Sequence, residues 1–200
     1  MDADTKPRRR PFQGSCHCGA VKYAVYLTLP RQPHPGTLDS PPVDRVYRCN
    51  CKICHKSGFM HIRPPAPADD FALLAPADDP FASLGDYQCH DRQLHFLFCR
   101  GCGVRCFIFM GDGHVVDAQP GEFGLVAGQE VWRPKGQQAG ANAWRTGCYL
   151  SVNAHTIDAG QEGFDMREWV ENESVMYYDF LTDEEPKPGQ YGKPHPGGCY

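Results

Sequence analysis

Tyr47-Arg48-Cys49-Asn50-Cys51-Lys52-Ile53-Cys54-His55-Lys56-Ser57-Gly58 sets three thiols within six residues, spaced C-x-C-x-x-C. Two other stretches answer it. Gly14-Ser15-Cys16-His17-Cys18-Gly19 upstream holds C-x-C, and Phe98-Cys99-Arg100-Gly101-Cys102-Gly103 downstream holds C-x-x-C followed by glycine. Residues i and i+2 of a strand share a face, so Cys16 with Cys18, and Cys49 with Cys51, can reach one ion together. Residues three apart on a helical turn also share a face, which sets Cys54 beside Cys51. Thiolates at these spacings suit Zn²⁺, whose structural sites are four-coordinate and closed. Reduced core cysteines alone would give no reason for three clusters.

The clusters hold three, two and two thiols, too many for one tetrahedral ion and one short of closing two. Pairing Cys16 and Cys18 with Cys99 and Cys102 completes a Cys₄ site. It leaves Cys49, Cys51 and Cys54 as a three-thiol site with one position open, the arrangement of catalytic zinc. A competing partition joins Cys51 and Cys54 to Cys99 and Cys102 as a zinc ribbon and strands Cys16, Cys18 and Cys49. Ligand counting favours the first.

A chain of 200 residues with 41% apolar and 12% aromatic content suits one globular domain with a real core. The 18 prolines and 21 glycines predict many turns and long loops. Short strands are expected over 20–27, 46–49, 71–74, 104–110 and 149–153. A hairpin of 87–89 with 94–99 turns around Asp91-Arg92. The fold class is therefore mostly β and largely antiparallel, with one short helix over 164–170 capped by Asp165. Residues 1–11 read as a disordered basic arm, 12–182 as the zinc-binding domain, and 183–200 as a disordered Pro/Gly-rich tail that includes Cys199. The Pro-rich stretch 28–45 reads as a loop. The Gly-rich stretch 111–147 reads as a lid or an irregular surface insertion.

The formal charge of −4 gives no electrostatic reason to expect nucleic acid as the main partner. The basic run 6–10 reads as a solvated arm, with a nuclear address or a phosphate contact as alternatives. No stretch approaches the apolar length of a membrane span, and the first ten residues lack the apolar centre of a signal peptide. The expected compartment is reducing and cytoplasmic, with the nucleus as the alternative.

Three segments carry a resemblance to a known family. They are G-S-C-H-C-G-A-V-K-Y at 14–23, C-N-C-K-I-C-H-K-S-G at 49–58 and F-C-R-G-C-G-V-R-C-F at 98–107, with a weaker match at 149–153 and Ile157-Asp158. Together they resemble the glutathione-dependent formaldehyde-activating enzyme family, which includes centromere protein V-like proteins. The resemblance implies an Mss4-like fold of several coiled antiparallel sheets with two zinc ions. It assigns Cys16, Cys18, Cys99 and Cys102 to a structural ion, and Cys49, Cys51 and Cys54 to a catalytic one. It also implies carbon–sulfur lyase activity of the S-(hydroxymethyl)glutathione synthase type, with glutathione and formaldehyde as partners.

Three thiolates already weaken the Lewis acidity of an ion they share, so delivery of a thiol is the chemistry expected there rather than strong carbonyl polarisation. Lys52, His55, Lys56 and Ser57 flank the cluster and either steer a glutathione carboxylate or are ordinary solvated side chains. Cys106 is a spare ligand or a buried thiol, with burial favoured, and Cys89 and Cys148 read as buried thiols. Asn153 is a site residue or a strand-end hydrogen-bonder. Two rival functions stand beside the lyase. One is a non-catalytic zinc module for a protein or chromatin partner, which needs a fourth protein ligand at the Cys49 cluster. The other is a redox switch through Cys51 and Cys54.

Overall fold

A computed structural model describes residues 6–31, 44–136, 148–181 and 187–197. Their strands run in chain order as β1 (Arg8–Ser15), β2 (Lys22–Leu29), β3 (Arg45–Cys49), β4 (Met60–Arg63), β5 (Phe71–Ala75), β6 (Gly85–Gln88) and β7 (His95–Phe98). There follow β8 (Arg105–Met110), β9 (Gly113–Asp117), β10 (Glu130–Pro134), β11 (Tyr149–Asn153), β12 (Met176–Asp179) and β13 (Lys187–Tyr191). Helices are short: α1 (Lys52–Ser57), α2 (Pro67–Asp70), α3 (Pro80–Ser83) and α4 (Met166–Glu171). No described helix is long and apolar enough to cross a membrane.

The strands form two sheets, ordered β1-β2-β5-β10-β9 and β13-β12-β3-β4-β11-β8-β7-β6. All named pairings are antiparallel except β12 with β3, where Met176 opposes Tyr47. Alternation along each strand decides the layers. Val46, Ile62, Leu150 and Val152 face the same core as Tyr23, Val25, Leu73 and Trp132 of the smaller sheet. Their neighbours Tyr47, Cys49, Ile108 and Tyr149 fall on the opposite face and form a second apolar cluster, which contains Cys54. The C-x-C-x-x-C segment thus lies on the outer side of the larger sheet.

Three expectations need correction. Residues 8–11 belong to β1, because Arg9 donates to buried Asp70 at 2.6 and 2.9 Å and lies 3.7 Å over the Tyr26 ring. A basic run with a buried acid to meet is a strand edge and not a solvated arm. The stretch from Gly111 contains the β9–β10 hairpin, which joins the smaller sheet through Trp132 opposite Leu73. Gly113 is required there, since a Cβ would lie 2.0 Å from the Trp132 ring; residues 137–147 fall outside the described set. The predicted tail contributes β13, paired with β12 from Met176↔Tyr191 to Asp179↔Lys187. Cys199 and most of the Pro-rich loop, 32–43, lie outside the described residues.

The other elements stand close to where alternation and turn chemistry set them. β6 and β7 pair as the predicted hairpin. Asp165 accepts from the Arg167 N–H at 2.9 Å as the cap of α4.

Asp44 directly precedes β3 of the larger sheet. It is 3% exposed and accepts from the Thr28 N–H. Burial raises its pKa from 3.8 to about 6, with the Thr28 bond and Arg31 offsetting only part. A raised folded-state pKa contributes stability that is complete below the unfolded value and lost as pH rises through the folded one. Between pH 4 and 7, native protein should therefore lose about 2 kcal/mol relative to Asp44→Asn in denaturant titrations. Both proteins share the thiol clusters, so the difference isolates Asp44; a constant difference across this range would contradict the assignment.

Candidate metal centres

The first thiol group is built from two hairpin loops, one from each sheet. Ser15 pairs with Lys22 across the β1–β2 loop, and Phe98 with Arg105 across the β7–β8 loop. Each loop closes alike. The Cys16 N–H donates to the Val21 carbonyl at 3.0 Å, and the Cys99 N–H to the Val104 carbonyl at 2.9 Å. Gly19 at φ 76° and Gly103 at φ 74° turn the chain through the left-handed region that other residues resist. Cys16 and Cys18 therefore sit in a tight turn beyond the end of β1, not on a shared strand face. The turn does what the strand was expected to do: Cys16 and Cys18 sulfurs lie 3.6 Å apart, and Cys18 lies 3.5 Å from Cys99.

All four sulfurs of Cys16, Cys18, Cys99 and Cys102 fall within 4.8 Å of one another. The backbone N–H of Val104 leads the interactions that lower the Cys102 pKa to about 6. Cys106 is buried against this group. Burial pushes its thiol up, and its charge interactions are with Cys16, Cys102 and Cys99. His17 is exposed in the turn.

The second group holds Cys49, Cys51 and Cys54, again with all sulfurs within 4.8 Å of one another. Cys49 ends β3, Cys51 caps α1 at its N-terminus, and Cys54 lies in the first turn of that helix. Gly58 ends the helix in the left-handed conformation, returning the chain into β4. The competing zinc-ribbon partition fails, because Cys51 and Cys54 are not grouped with Cys99 and Cys102. No described cysteine is in a disulfide.

Three neighbouring sulfurs share negative charge unequally. Hydrogen bonds from Cys49 and then Cys54 lower the Cys51 pKa to about 2. The contact with Cys51 pushes Cys49 up to about 12, and contacts with Cys49 and then Cys51 push Cys54 well above its ordinary value. A divalent cation is the partner that lets all three ionise, so the donor set fits a thiophilic metal.

Around the group lies a buried polar network. His61, on β4 opposite Tyr47 of β3, places Nε2 3.1 Å from Cys54 Sγ and Nδ1 2.8 Å from Ser151 Oγ. Burial lowers its pKa to about 3, so the ring is neutral. Tyr47 and Tyr149 join hydroxyls at 2.8 Å. Asn50, 2% exposed, fixes the loop between Cys49 and Cys51 to the end of β12. Its Nδ2 donates to Asp179 at 2.8 Å, and its Oδ1 accepts the Phe180 N–H at 2.6 Å.

Several flanking residues are placed elsewhere. Lys52, His55 and Lys56 are exposed, and Ser57 donates back to the Ile53 carbonyl within its own helix. Asn153 accepts from the Met60 and His155 N–H groups and donates to the Arg105 carbonyl, so it joins backbone segments. Cys148 is buried and donates to the Gly136 carbonyl, whereas Cys89 is partly exposed against the second cluster. Sequence reasoning missed His61, Ser151 and Asn50. Period-2 alternation carried past Gly58 would have found His61 on the face of Tyr47.

No protein-family model matches the chain. A crystal structure of a Rhodobacter sphaeroides protein matches with a TM-score of 0.38 and 18% identity, over 75% of this chain and 91% of that one. At that score the similarity assigns neither fold nor function.

Asn50→Ala removes both side-chain ties of the Cys49–Cys51 loop and leaves the Phe180 N–H without its acceptor. A loss of about 1–3 kcal/mol is expected in denaturant unfolding of metal-loaded protein. Unchanged stability would show that the loop does not depend on β12.

Proposed function

We propose that the chain is a two-zinc protein of Mss4-like fold whose second ion serves a carbon–sulfur lyase reaction, joining glutathione or a related thiol to formaldehyde or a related aldehyde. One observation carries this reading. The second group closes at three sulfurs, and no histidine nitrogen or carboxylate oxygen among the described residues joins it at that spacing. Cys16, Cys18, Cys99 and Cys102 would hold a structural ion; Cys49, Cys51 and Cys54 would hold the other and leave one position for an external ligand. Zinc bound there supplies the positive charge that keeps an added thiol ionised near neutral pH.

The residues around it do the positioning. Asn50 fixes the loop that presents Cys49 and Cys51, and β3 and β4 present Tyr47 and His61 behind it. Cys51 is the half-exposed member of the set and marks the side from which a ligand enters. In the reaction the thiol sulfur bonds to the aldehyde carbon, and the thiol proton passes to the aldehyde oxygen. The motif resemblance supplies the substrate class.

The rival reading is a zinc module that docks a protein or chromatin partner. Phe180 and Leu181, 43% and 52% exposed directly after the Asn50 contact, favour it. It needs a fourth protein ligand at the second group, and Cys106 lies against the other one.

Comparison of Cys54→Ser with Cys102→Ser tests the proposal, with Cys51→Ser as a less buried companion. Cys102→Ser should be unfolded at 25 °C, since structural zinc is part of the folding energy. Cys54→Ser and Cys51→Ser should keep native circular dichroism, retain one ion firmly and lose glutathione-dependent formaldehyde consumption. Equal unfolding of all three, or full activity in Cys51→Ser, would contradict the proposal.

A further inference from the structure

His61 joins neither thiol group, yet it is a buried polar side chain in contact with the second. It is 3% exposed. Tyr47 stacks on its ring at 4.3 Å with planes 7° apart, and Phe59 closes on it at 4.6 Å and 52°. Both nitrogens are engaged, Nε2 with Cys54 Sγ at 3.1 Å and Nδ1 with Ser151 Oγ at 2.8 Å. Ser151 is itself fully buried. A ring stacked on Tyr47, met at a tilt by Phe59 and tied at both nitrogens has one orientation.

We infer that His61, oriented by Ser151, is a positioning residue that donates its Nε2–H to the sulfur of Cys54 and thereby fixes the innermost ligand of the second metal site. The inference rests on the proposal that this site holds an ion.

The direction of the bond follows from chemistry. A metal-bound thiolate has no proton to give, so the Nε2 facing it must be an N–H. The Ser151 hydroxyl, free to rotate, completes the bond at Nδ1 and holds the ring in that orientation. Second-shell partners of this kind orient a ligand and tune its donation to the metal. Three thiolates around a divalent ion leave a net negative charge, which resists a fourth anionic ligand. A hydrogen bond that draws charge from one sulfur makes room for an incoming thiolate. It also makes that sulfur a poorer nucleophile, which protects Cys54 from an aldehyde substrate. Cys51 has no described bond to a histidine, so Cys51 and Cys54 are unequal, and Cys54 is the one of the two tied to His61.

The test uses the full chain. His61→Phe combined with Ser151→Ala keeps an aromatic ring between Tyr47 and Phe59, removes the donor and leaves no orphaned hydroxyl. His61→Gln restores an N–H at a reach similar to Nε2. With native protein holding two ions, the double variant should release its faster-leaving ion to a chelator roughly ten- to a hundredfold sooner. Release of the other ion should be unchanged. The sulfur-to-cobalt charge-transfer band of cobalt-loaded protein should shift, and His61→Gln should recover most of both effects.

Unchanged release and an unmoved band in the double variant and in His61→Gln would overturn the role of His61 while leaving the two-ion reading intact. Imidazole scattering in the zinc X-ray absorption of native protein would also overturn it, by making His61 a direct ligand. Native protein holding one ion would overturn the two-ion reading and this inference with it.

Discussion

Four sulfurs from two separate sheets meet at one point, and the rest of the fold is arranged to let them. The β1–β2 loop belongs to the five-stranded sheet and the β7–β8 loop to the eight-stranded one. Their tips bring Cys16, Cys18, Cys99 and Cys102 within 4.8 Å of each other. Metal binding at structural zinc sites contributes about 10–16 kcal/mol in small peptides. The whole stability of a domain is about 5–15 kcal/mol. An ion at this point would be worth as much as the net stability of a whole domain, and it would act where the two sheets are joined.

The second thiol group is of a different kind. It bridges no sheets. Cys49 sits at the end of β3, Cys51 and Cys54 on the helical turn that follows, and the set lies on the outer face of the larger sheet. Its supports are polar and local: Asn50 to the end of β12, His61 and Ser151 behind Cys54, and the Tyr47–Tyr149 hydroxyl pair. A site removed from the central core can lose or exchange a ligand without separating the sheets. That division suits one ion for folding and one for chemistry.

Much of this was legible in the sequence because thiol spacing is a local property. The grouping of Cys16, Cys18, Cys99 and Cys102 followed from counting ligands, and the β6–β7 hairpin and the Asp165 cap followed from turn and cap chemistry. The mistakes came where local composition misleads. Arg8, Arg9 and Arg10 look like a solvated arm until buried Asp70, 61 residues on, meets Arg9. Gly113 looks like a loop residue until the Trp132 ring is found lying on it. His61 was invisible for a related reason: its partner Ser151 is brought to it by the pairing of β4 with β11, and its partner Cys54 by the return of α1 into β4, and no motif records that register.

The most direct test of two unlike metal sites is the release of metal from the native, zinc-loaded chain. Zinc per chain and the time course of its transfer to a chromophoric chelator should be measured on the same sample. Two ions per chain leaving in two separated phases, the faster abolished by Cys51→Ser, is the predicted result. One ion per chain, or two ions leaving together in a single phase, would contradict it.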